Sequence, residues 1–191
     1  MFIEPRHRPG SEKGWIEVIC GSMFSGKTEE LIRRVRRAQF AKQLIEIYKP
    51  ATDTRYHETD VVSHDENSIS AVAVDSSVNI LLLYNGAEVV AIDEAQFFDH
   101  ELPRVCDELA SKGVRVIVAG LDMDFRGNPF GPMPNLMAKA EFVTKVHAIC
   151  AHCGDVALYS FRIKPDANQI VLGEKDSYEP RCRKHFEEGM G

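Results

Sequence analysis

The sequence of 191 residues contains no apolar run of the roughly 18–20 residues that a membrane-spanning helix needs. Residues 1–14 carry charges and prolines but no hydrophobic segment, so we expect no secretory signal, no membrane attachment and a cytoplasmic location. Positive charge is also scarce, since 23 Lys and Arg face 29 Asp and Glu for a formal net charge of −6. This balance argues against a dedicated DNA-binding protein, and an apolar content of 44% excludes a disordered chain.

Cysteine is scarce and odd in number, with five residues placed unevenly along the chain. In a reducing compartment this pattern favours a metal site over a disulfide framework, because three of the five lie near the C-terminus. The other two, Cys20 and Cys106, occur in apolar segments, and we expect them to be buried, unreactive thiols.

Apolar strands alternate with amphipathic helices along most of the chain. We predict strands at 15–20, 44–49, 69–74, 88–93 and 114–121 and helices at 28–42, 78–84 and 100–112. This alternation is typical of an α/β fold with a parallel sheet covered by helices on both faces. Near Lys145 the pattern changes to short polar strands around cysteines. We therefore expect a flexible arm at 1–14, a nucleotide-binding domain at 15–144 and a small metal-binding domain at 145–191.

The segment Gly21-Ser22-Met23-Phe24-Ser25-Gly26-Lys27-Thr28 fits the pattern G-x-x-x-x-G-K-[ST], between a predicted strand and a predicted helix. Its glycines allow a tight turn whose backbone N–H groups point at an anion, and the helix adds the positive end of its dipole. Lys27 is expected to neutralise the β- and γ-phosphates, and Thr28 to bind Mg²⁺ through its hydroxyl. The segment predicts a nucleoside triphosphate site of the P-loop NTPase kind.

Two acids, Asp93 and Glu94, lie at the carboxyl end of the apolar strand segment 89–92. The carboxyl ends of parallel strands line the ligand crevice, so these acids are expected beside the phosphate loop. Asp93 is expected to hold Mg²⁺ or its waters, and Glu94 to act as a base or to position a water. The pair by itself leaves hydrolysis and phosphoryl transfer open.

Two C-x-x-[CH] knuckles occur in the C-terminal part, Cys150-Ala-His-Cys153 and Cys182-Arg-Lys-His185. Four nitrogen and sulfur ligands in tetrahedral arrangement suit Zn²⁺ and leave no open position, so the site is expected to be structural. His152 lies inside the first knuckle and His147 outside both, and we interpret both as surface histidines.

Five motifs together resemble the type II thymidine kinases, which phosphorylate the 5′-hydroxyl of thymidine with ATP. They lie, in order, at 21–28, 53–56, 92–98, 121–126 and 177–182. The resemblance implies that Glu94 is the general base, that Asp53 reaches Mg²⁺ through water and that Arg55 is a cation beside the phosphates. It also implies a pocket for deoxyribose and thymine, formed by Met23, Gln96, Phe97, Leu121, Phe125, Val171, Gly173 and Tyr178.

The same resemblance implies a lasso loop around 170–173, which the zinc site would hold and which would close over thymine. Ser160 is a further candidate polar contact. In this family the enzyme is a homotetramer, and the end product dTTP inhibits it.

Two other functions fit parts of the sequence. A nucleic-acid-dependent ATPase could use the basic run Arg33, Arg34, Arg36 and Arg37, although a solvated helix face or a subunit contact explains the same residues. A GTP-binding switch would need a guanine-reading Asn-Lys-x-Asp segment, which the sequence lacks.

Overall fold

The structure is a computed structural model that describes residues 13–52, 60–62, 68–163 and 177–191, with only the backbone of 60–62 and 68–69. Within these ranges no helix has the length and apolar character needed to cross a membrane.

The larger part of the chain alternates strands and helices. Its strands are β1 (Trp15–Cys20), β2 (Ile45–Pro50), β3 (Asp60–Val62), β4 (Ser68–Ser70), β5 (Val72–Val74), β6 (Val89–Ile92), β7 (Arg115–Gly120) and β8 (Phe142–Lys145). Its helices are α1 (Lys27–Phe40), α2 (Ser77–Leu83), α3 (Leu102–Ser111) and α4 (Met133–Lys139), with a 3₁₀ turn at Ala95–Phe97. The C-terminal part consists of β9 (Ala148–Ile149), β10 (Val156–Ala157), β11 (Tyr159–Arg162), β12 (Tyr178–Arg181) and α5 (Arg183–Met190).

Six strands form one parallel sheet in the order β5-β2-β6-β7-β1-β8. Every residue of β6 and β7 is buried, as expected for strands covered on both faces. Helix α1 packs on one face through Leu31, Ile32 and Val35. Helices α2, α3 and α4 contribute to the core on the other face. The predicted α/β fold is confirmed.

Charged side chains are buried between β1 and α1. Glu17 is fully buried and accepts hydrogen bonds from Arg34 at 2.8 Å and from Arg115 at 2.7 Å. Arg34 also binds Glu30 at 2.8 Å, and Arg33 pairs with Glu30 as well. The basic run of α1 is therefore not one solvated face, because Arg34 points into the core.

One predicted strand differs from the structure, and some observed elements were not predicted. The segment predicted as one strand at 69–74 is two short strands, since β4 pairs with β3 and β5 pairs with β2. Helix α4 and the edge strand β8 were not predicted. The predicted division at 144/145 lies at the end of β8, and it remains an interpretation.

Candidate active site and metal cluster

The loop between β1 and α1 has the conformation that its glycines allow. Gly21 has φ +148°, and a Cβ atom there would lie 2.2 Å from the carbonyl oxygen of Val146. Gly26, the residue before α1, has φ +83° in the left-handed region. The backbone can therefore turn tightly and present the first N–H groups of α1 to an anion.

Polar side chains of the loop converge on its interior. Lys27 Nζ and Ser25 Oγ both donate to the carbonyl oxygen of Ser22, each at 2.7 Å. Thr28 Oγ1 lies 3.4 Å from Asp93 Oδ2, which is at the end of β6 and almost fully buried. A hydroxyl and a carboxylate oxygen held together in this way are ligands that Mg²⁺ prefers.

Glu94 lies in the same cleft as the phosphate loop. The side chains around this cleft are Met23, Phe24, Ser25, Lys27, Thr28, Glu29, Glu94 and Leu121. Glu94 has φ +50°, a left-handed conformation that is uncommon for a residue with a side chain, and its N–H donates to Asp93 Oδ1 at 2.9 Å. Strained backbone of this kind is concentrated at functional sites, where the surroundings hold it in place.

Gln96 connects two walls of the cleft. Its amide nitrogen donates to Glu94 Oε2, and its amide oxygen accepts from the N–H of Leu121 at 2.8 Å. Gln96 is 2% exposed, so its orientation is fixed by packing as well as by these bonds. Phe97, the next residue, packs edge-on against Phe130 with ring centroids 5.8 Å apart.

Phe125 and Tyr178, two residues of the expected nucleoside pocket, both contact Arg162. The Arg162 guanidinium lies 3.6 Å from the centre of the Phe125 ring and donates to Tyr178 Oη at 2.7 and 3.1 Å. Arg162 and Tyr178 are partners across β11 and β12, and both are buried. Arg162 was not predicted as a site residue, because a lone arginine in a strand gives no sign of its partners.

Four expected site residues lie outside the described residues: Asp53, Arg55, Val171 and Gly173. The expected lasso loop around 170–173 lies there as well.

The four expected metal ligands come together in the C-terminal part. One ligand atom from each of Cys150, Cys153, Cys182 and His185 lies within 4.8 Å of the others. His185 Nδ1 is 3.2 Å from Cys182 Sγ and 3.6 Å from Cys150 Sγ. Three thiols and one imidazole are a donor set that fits Zn²⁺.

Local hydrogen bonds favour the thiolate form of Cys150. Burial raises the pKa of the Cys150 thiol, but hydrogen bonds from backbone groups of Cys182, His152 and Cys153 outweigh it, and the pKa falls to about 6. The thiolate is the form that binds metal. His152 itself stacks on His185 and binds Glu179 Oε1 at 2.9 Å, outside the ligand set.

The two remaining cysteines behave differently. Cys20 and Cys106 are fully buried and form no disulfide. Burial raises the pKa of Cys20 to about 11 and raises that of Cys106 further above its ordinary value. Both are therefore protonated near neutral pH, as expected for unreactive thiols.

Comparisons with known proteins agree on one family. A family model described as thymidine kinase matches residues 14–186. The thymidine kinase of Bacteroides thetaiotaomicron is 58% identical over 191 residues, which cover 100% of this chain and 96% of that protein. The thymidine kinase of a Rhodothermus species is 61% identical over 190 residues, covering 98% of this chain and 88% of that protein. Among solved structures, that of the Legionella pneumophila ATPase DotB is 19% identical, and the match covers 68% of this chain and 35% of the DotB chain. Its TM-score of 0.40 is too low to indicate a shared function.

Proposed function

This chain belongs to the thymidine kinase family and phosphorylates thymidine, and we propose that it transfers the γ-phosphate of ATP to the 5′-hydroxyl, giving dTMP and ADP. The observation that carries this proposal is the presence of Glu94 in the same cleft as Lys27 and Thr28. A carboxylate, an anion cradle and a hydroxyl ligand for a cation are the groups that phosphoryl transfer to an alcohol requires.

The phosphate loop holds the triphosphate of ATP. Backbone N–H groups of residues 21–28 surround the phosphates, and Lys27 leaves its contact with the Ser22 carbonyl to neutralise them. Thr28 and Asp93 would hold Mg²⁺ through their hydroxyl and carboxylate oxygens. The family resemblance assigns Asp53, which lies outside the described residues, to Mg²⁺ through water, and assigns Arg55, also outside them, to the phosphates. The bound Mg²⁺ supplies charge neutralisation at the transferring phosphoryl group.

Glu94 accepts the proton of the thymidine 5′-hydroxyl during transfer. The hydroxyl oxygen forms a bond to the γ-phosphorus, the bond from that phosphorus to the bridging oxygen of ADP breaks, and the proton passes to the Glu94 carboxylate. The hydrogen bond from Gln96 orients this carboxylate. A positioned base of this kind contributes roughly 10²–10⁴-fold to a rate.

The nucleoside pocket lies next to Glu94. Met23 and Leu121 line the cleft itself, and Gln96 and Phe97 follow Glu94 in the chain. The family resemblance assigns Phe125 and Tyr178 to a second wall of the pocket, and Arg162 contacts both of them. Val171 and Gly173 complete the pocket by family resemblance, and apolar walls of this kind keep out the water that would otherwise hydrolyse ATP.

The Cys/His cluster binds one structural Zn²⁺ per chain. Cys150, Cys153, Cys182 and His185 supply four ligands, which leaves no position for a substrate. We further propose, from the family resemblance, that the enzyme is a cytoplasmic homotetramer that dTTP inhibits.

The test of the catalytic proposal compares two glutamates of the same cleft. Glu94→Gln should lower kcat by several orders of magnitude while the affinity for ATP changes little, because only the proton acceptor is lost. Glu29→Gln is the matched control, since Glu29 lines the cleft on the helix side and has no assigned chemical role. Near-normal turnover of Glu94→Gln would remove Glu94 as the base.

The metal proposal has its own test. Cys182→Ser should reduce the zinc content below one per chain and raise the KM for thymidine, as measured by elemental analysis and steady-state kinetics. A zinc content that stays at one per chain would contradict the ligand set.

Assays with nucleic acid separate the kinase from the ATPase alternative. We expect ATP turnover only when thymidine is present, with no effect of added DNA. The burial of Arg34 supports this expectation, because it removes one cation from the basic run that the alternative requires.

A further inference from the structure

The phosphate loop at 21–28 rests directly on the elements that carry the Cys/His cluster. The first contact is at Gly21, where a Cβ atom would meet the carbonyl oxygen of Val146 at 2.2 Å. The N–H of Val146 in turn donates to the carbonyl oxygen of Cys20 at 2.8 Å. Val146 belongs to the short link between β8 and β9, four residues before Cys150. The start of the phosphate loop therefore packs against the segment that leads to the first knuckle.

The second contact is a hydrogen bond between the loop and β11. The N–H of Met23 donates to Ser160 Oγ at 2.9 Å, and Ser160 is 5% exposed. Ser160 lies opposite Pro180 in the β11–β12 pair, and Pro180 precedes Cys182 by two residues. A backbone N–H of the loop is thus held by the strand pair that leads to the second knuckle.

The third contact is the side chain of Phe24. It packs against a small apolar cluster formed by Ala148, Cys150, Ala157 and Cys182, two of which are expected metal ligands. Phe24 has φ +62°, a left-handed conformation that is unfavourable for a residue with a side chain. The packing of the ring on the knuckles offsets this strain and so helps the loop to keep its shape.

We propose that metal occupancy of the Cys/His cluster sets the affinity of the phosphate loop for ATP, with Phe24 and Ser160 as the positioning residues that couple the two sites. The inference rests on the proposed ATP and zinc sites and adds a link between them. Without metal the two knuckles separate, and the apolar cluster on which the Phe24 ring packs is disrupted. The binding of ATP must then order the phosphate loop. That ordering costs conformational entropy and weakens binding.

Such a coupling is reciprocal. If metal raises the affinity for ATP by a given factor, then bound ATP raises the affinity for metal by the same factor. Couplings between sites are typically about 5- to 150-fold, and three direct contacts justify the lower part of this range.

The experiment measures at equilibrium how much zinc is released from the native zinc-loaded protein to a zinc-selective chromogenic chelator, with Mg²⁺ in excess. Saturating ATP should raise the affinity of the wild type for zinc, measured from this equilibrium, by about fivefold or more. Direct titration with ATP, before and after zinc removal, should show a loss of affinity by a similar factor. Neither measurement depends on thymidine turnover.

Two variants test whether Phe24 and Ser160 carry the coupling between the zinc site and the ATP site. Phe24→Gly removes the ring and also relieves the strain at φ +62°, so the variant should fold and still bind ATP at high concentration. Most of the protection, meaning the reduction of zinc release by bound ATP, should be lost in this variant. Ser160→Ala removes only the acceptor for the Met23 N–H, and in this variant ATP should reduce zinc release by less than in the wild type. Phe186→Leu is the control, because Phe186 is buried against Tyr159 on the metal-bearing side and should keep the full protection.

The outcomes are distinguishable. Equal protection of zinc by ATP in the wild type and in Phe24→Gly would overturn the assignment of Phe24. Binding of ATP to the wild type with no change in zinc release would overturn the coupling and leave the proposed function intact. No binding of ATP at all would overturn both.

Discussion

Replacing Gln96 by leucine tests whether this side chain acts through Glu94. Leucine has a similar volume, so the main change is the loss of two hydrogen bonds. One runs from the Gln96 amide nitrogen to Glu94 Oε2, and the other joins its amide oxygen to the N–H of Leu121 at 2.8 Å. The substitution therefore removes the connection between two walls of the cleft while the buried position stays filled.

The expected loss follows from the bond to Glu94. A hydrogen bond to a charged acceptor is worth about 1.5–3 kcal/mol. If that energy holds the Glu94 carboxylate in its reactive position, kcat falls by roughly ten- to a hundredfold, since about 1.36 kcal/mol corresponds to a factor of ten. The affinity for ATP should stay near that of the wild type, because the phosphate loop keeps its contacts.

Steady-state kinetics and a double-mutant cycle with Glu94→Gln measure this effect. If Gln96 acts through Glu94, the double variant should turn over no more slowly than Glu94→Gln alone, since residues that act as a unit are not additive. A urea unfolding curve checks that Gln96→Leu is folded. Additive losses in kcat, or a change confined to the KM for thymidine, would refute the positioning role.

Other substitutions test the core, the pH dependence and the nucleoside pocket. Glu17→Leu should lower the free energy of unfolding, measured with urea, by about 3–5 kcal/mol, because it leaves the buried Arg34 and Arg115 without their shared carboxylate. A loss below about 1 kcal/mol would contradict this. Burial raises the pKa of Asp99, but hydrogen bonds from Ser77 and from nearby backbone N–H groups hold it below its ordinary value of 3.8. The stabilisation of the fold by this carboxylate is therefore complete above pH 3.8 and is lost as the pH falls further. The difference in unfolding free energy between the wild type and Ser77→Ala should therefore narrow below pH 3.8, and a constant difference would argue against this contribution. Arg162→Met should raise the KM for thymidine and leave the KM for ATP near wild type, whereas an unchanged KM for thymidine would show that Arg162 does not organise that pocket.

The sequence predicted what depends on local signals. Uninterrupted apolar strands and the glycine-rich loop were recognised because their patterns are contained in a few consecutive residues. The resemblance to type II thymidine kinases, drawn from five motifs, is confirmed by the family match over residues 14–186. Helix α1 ends at Phe40, close to the predicted end, and the left-handed conformation of Lys42 stops it from continuing.

The sequence did not predict features that depend on distant partners. The strand predicted at 69–74 divides at Ala71 because its halves pair with different strands, and pairing is not a local property. Helix α4 was missed because it is short and begins in a proline-rich segment, with Pro132 before it and Pro134 in its first turn. Strand β8 was missed because its residues are only half-buried or exposed at the edge of the sheet.

Buried charges were the hardest features to foresee. Glu17 lies in an otherwise apolar strand and Arg34 in a basic run of α1, and charged residues are usually assigned to the surface. Arg162 contacts Phe125 and Tyr178, which lie 37 and 16 positions away in the chain. Only the folded structure brings such partners together.

A structure of the protein with thymidine and a non-hydrolysable ATP analogue tests the central claim most directly. We expect the thymidine 5′-oxygen within hydrogen-bonding distance of the Glu94 carboxylate, with the γ-phosphate held by the loop at 21–28 in line with that oxygen. A complex in which Glu94 turns away from the 5′-oxygen and another side chain contacts it would contradict the assignment of Glu94 as the base.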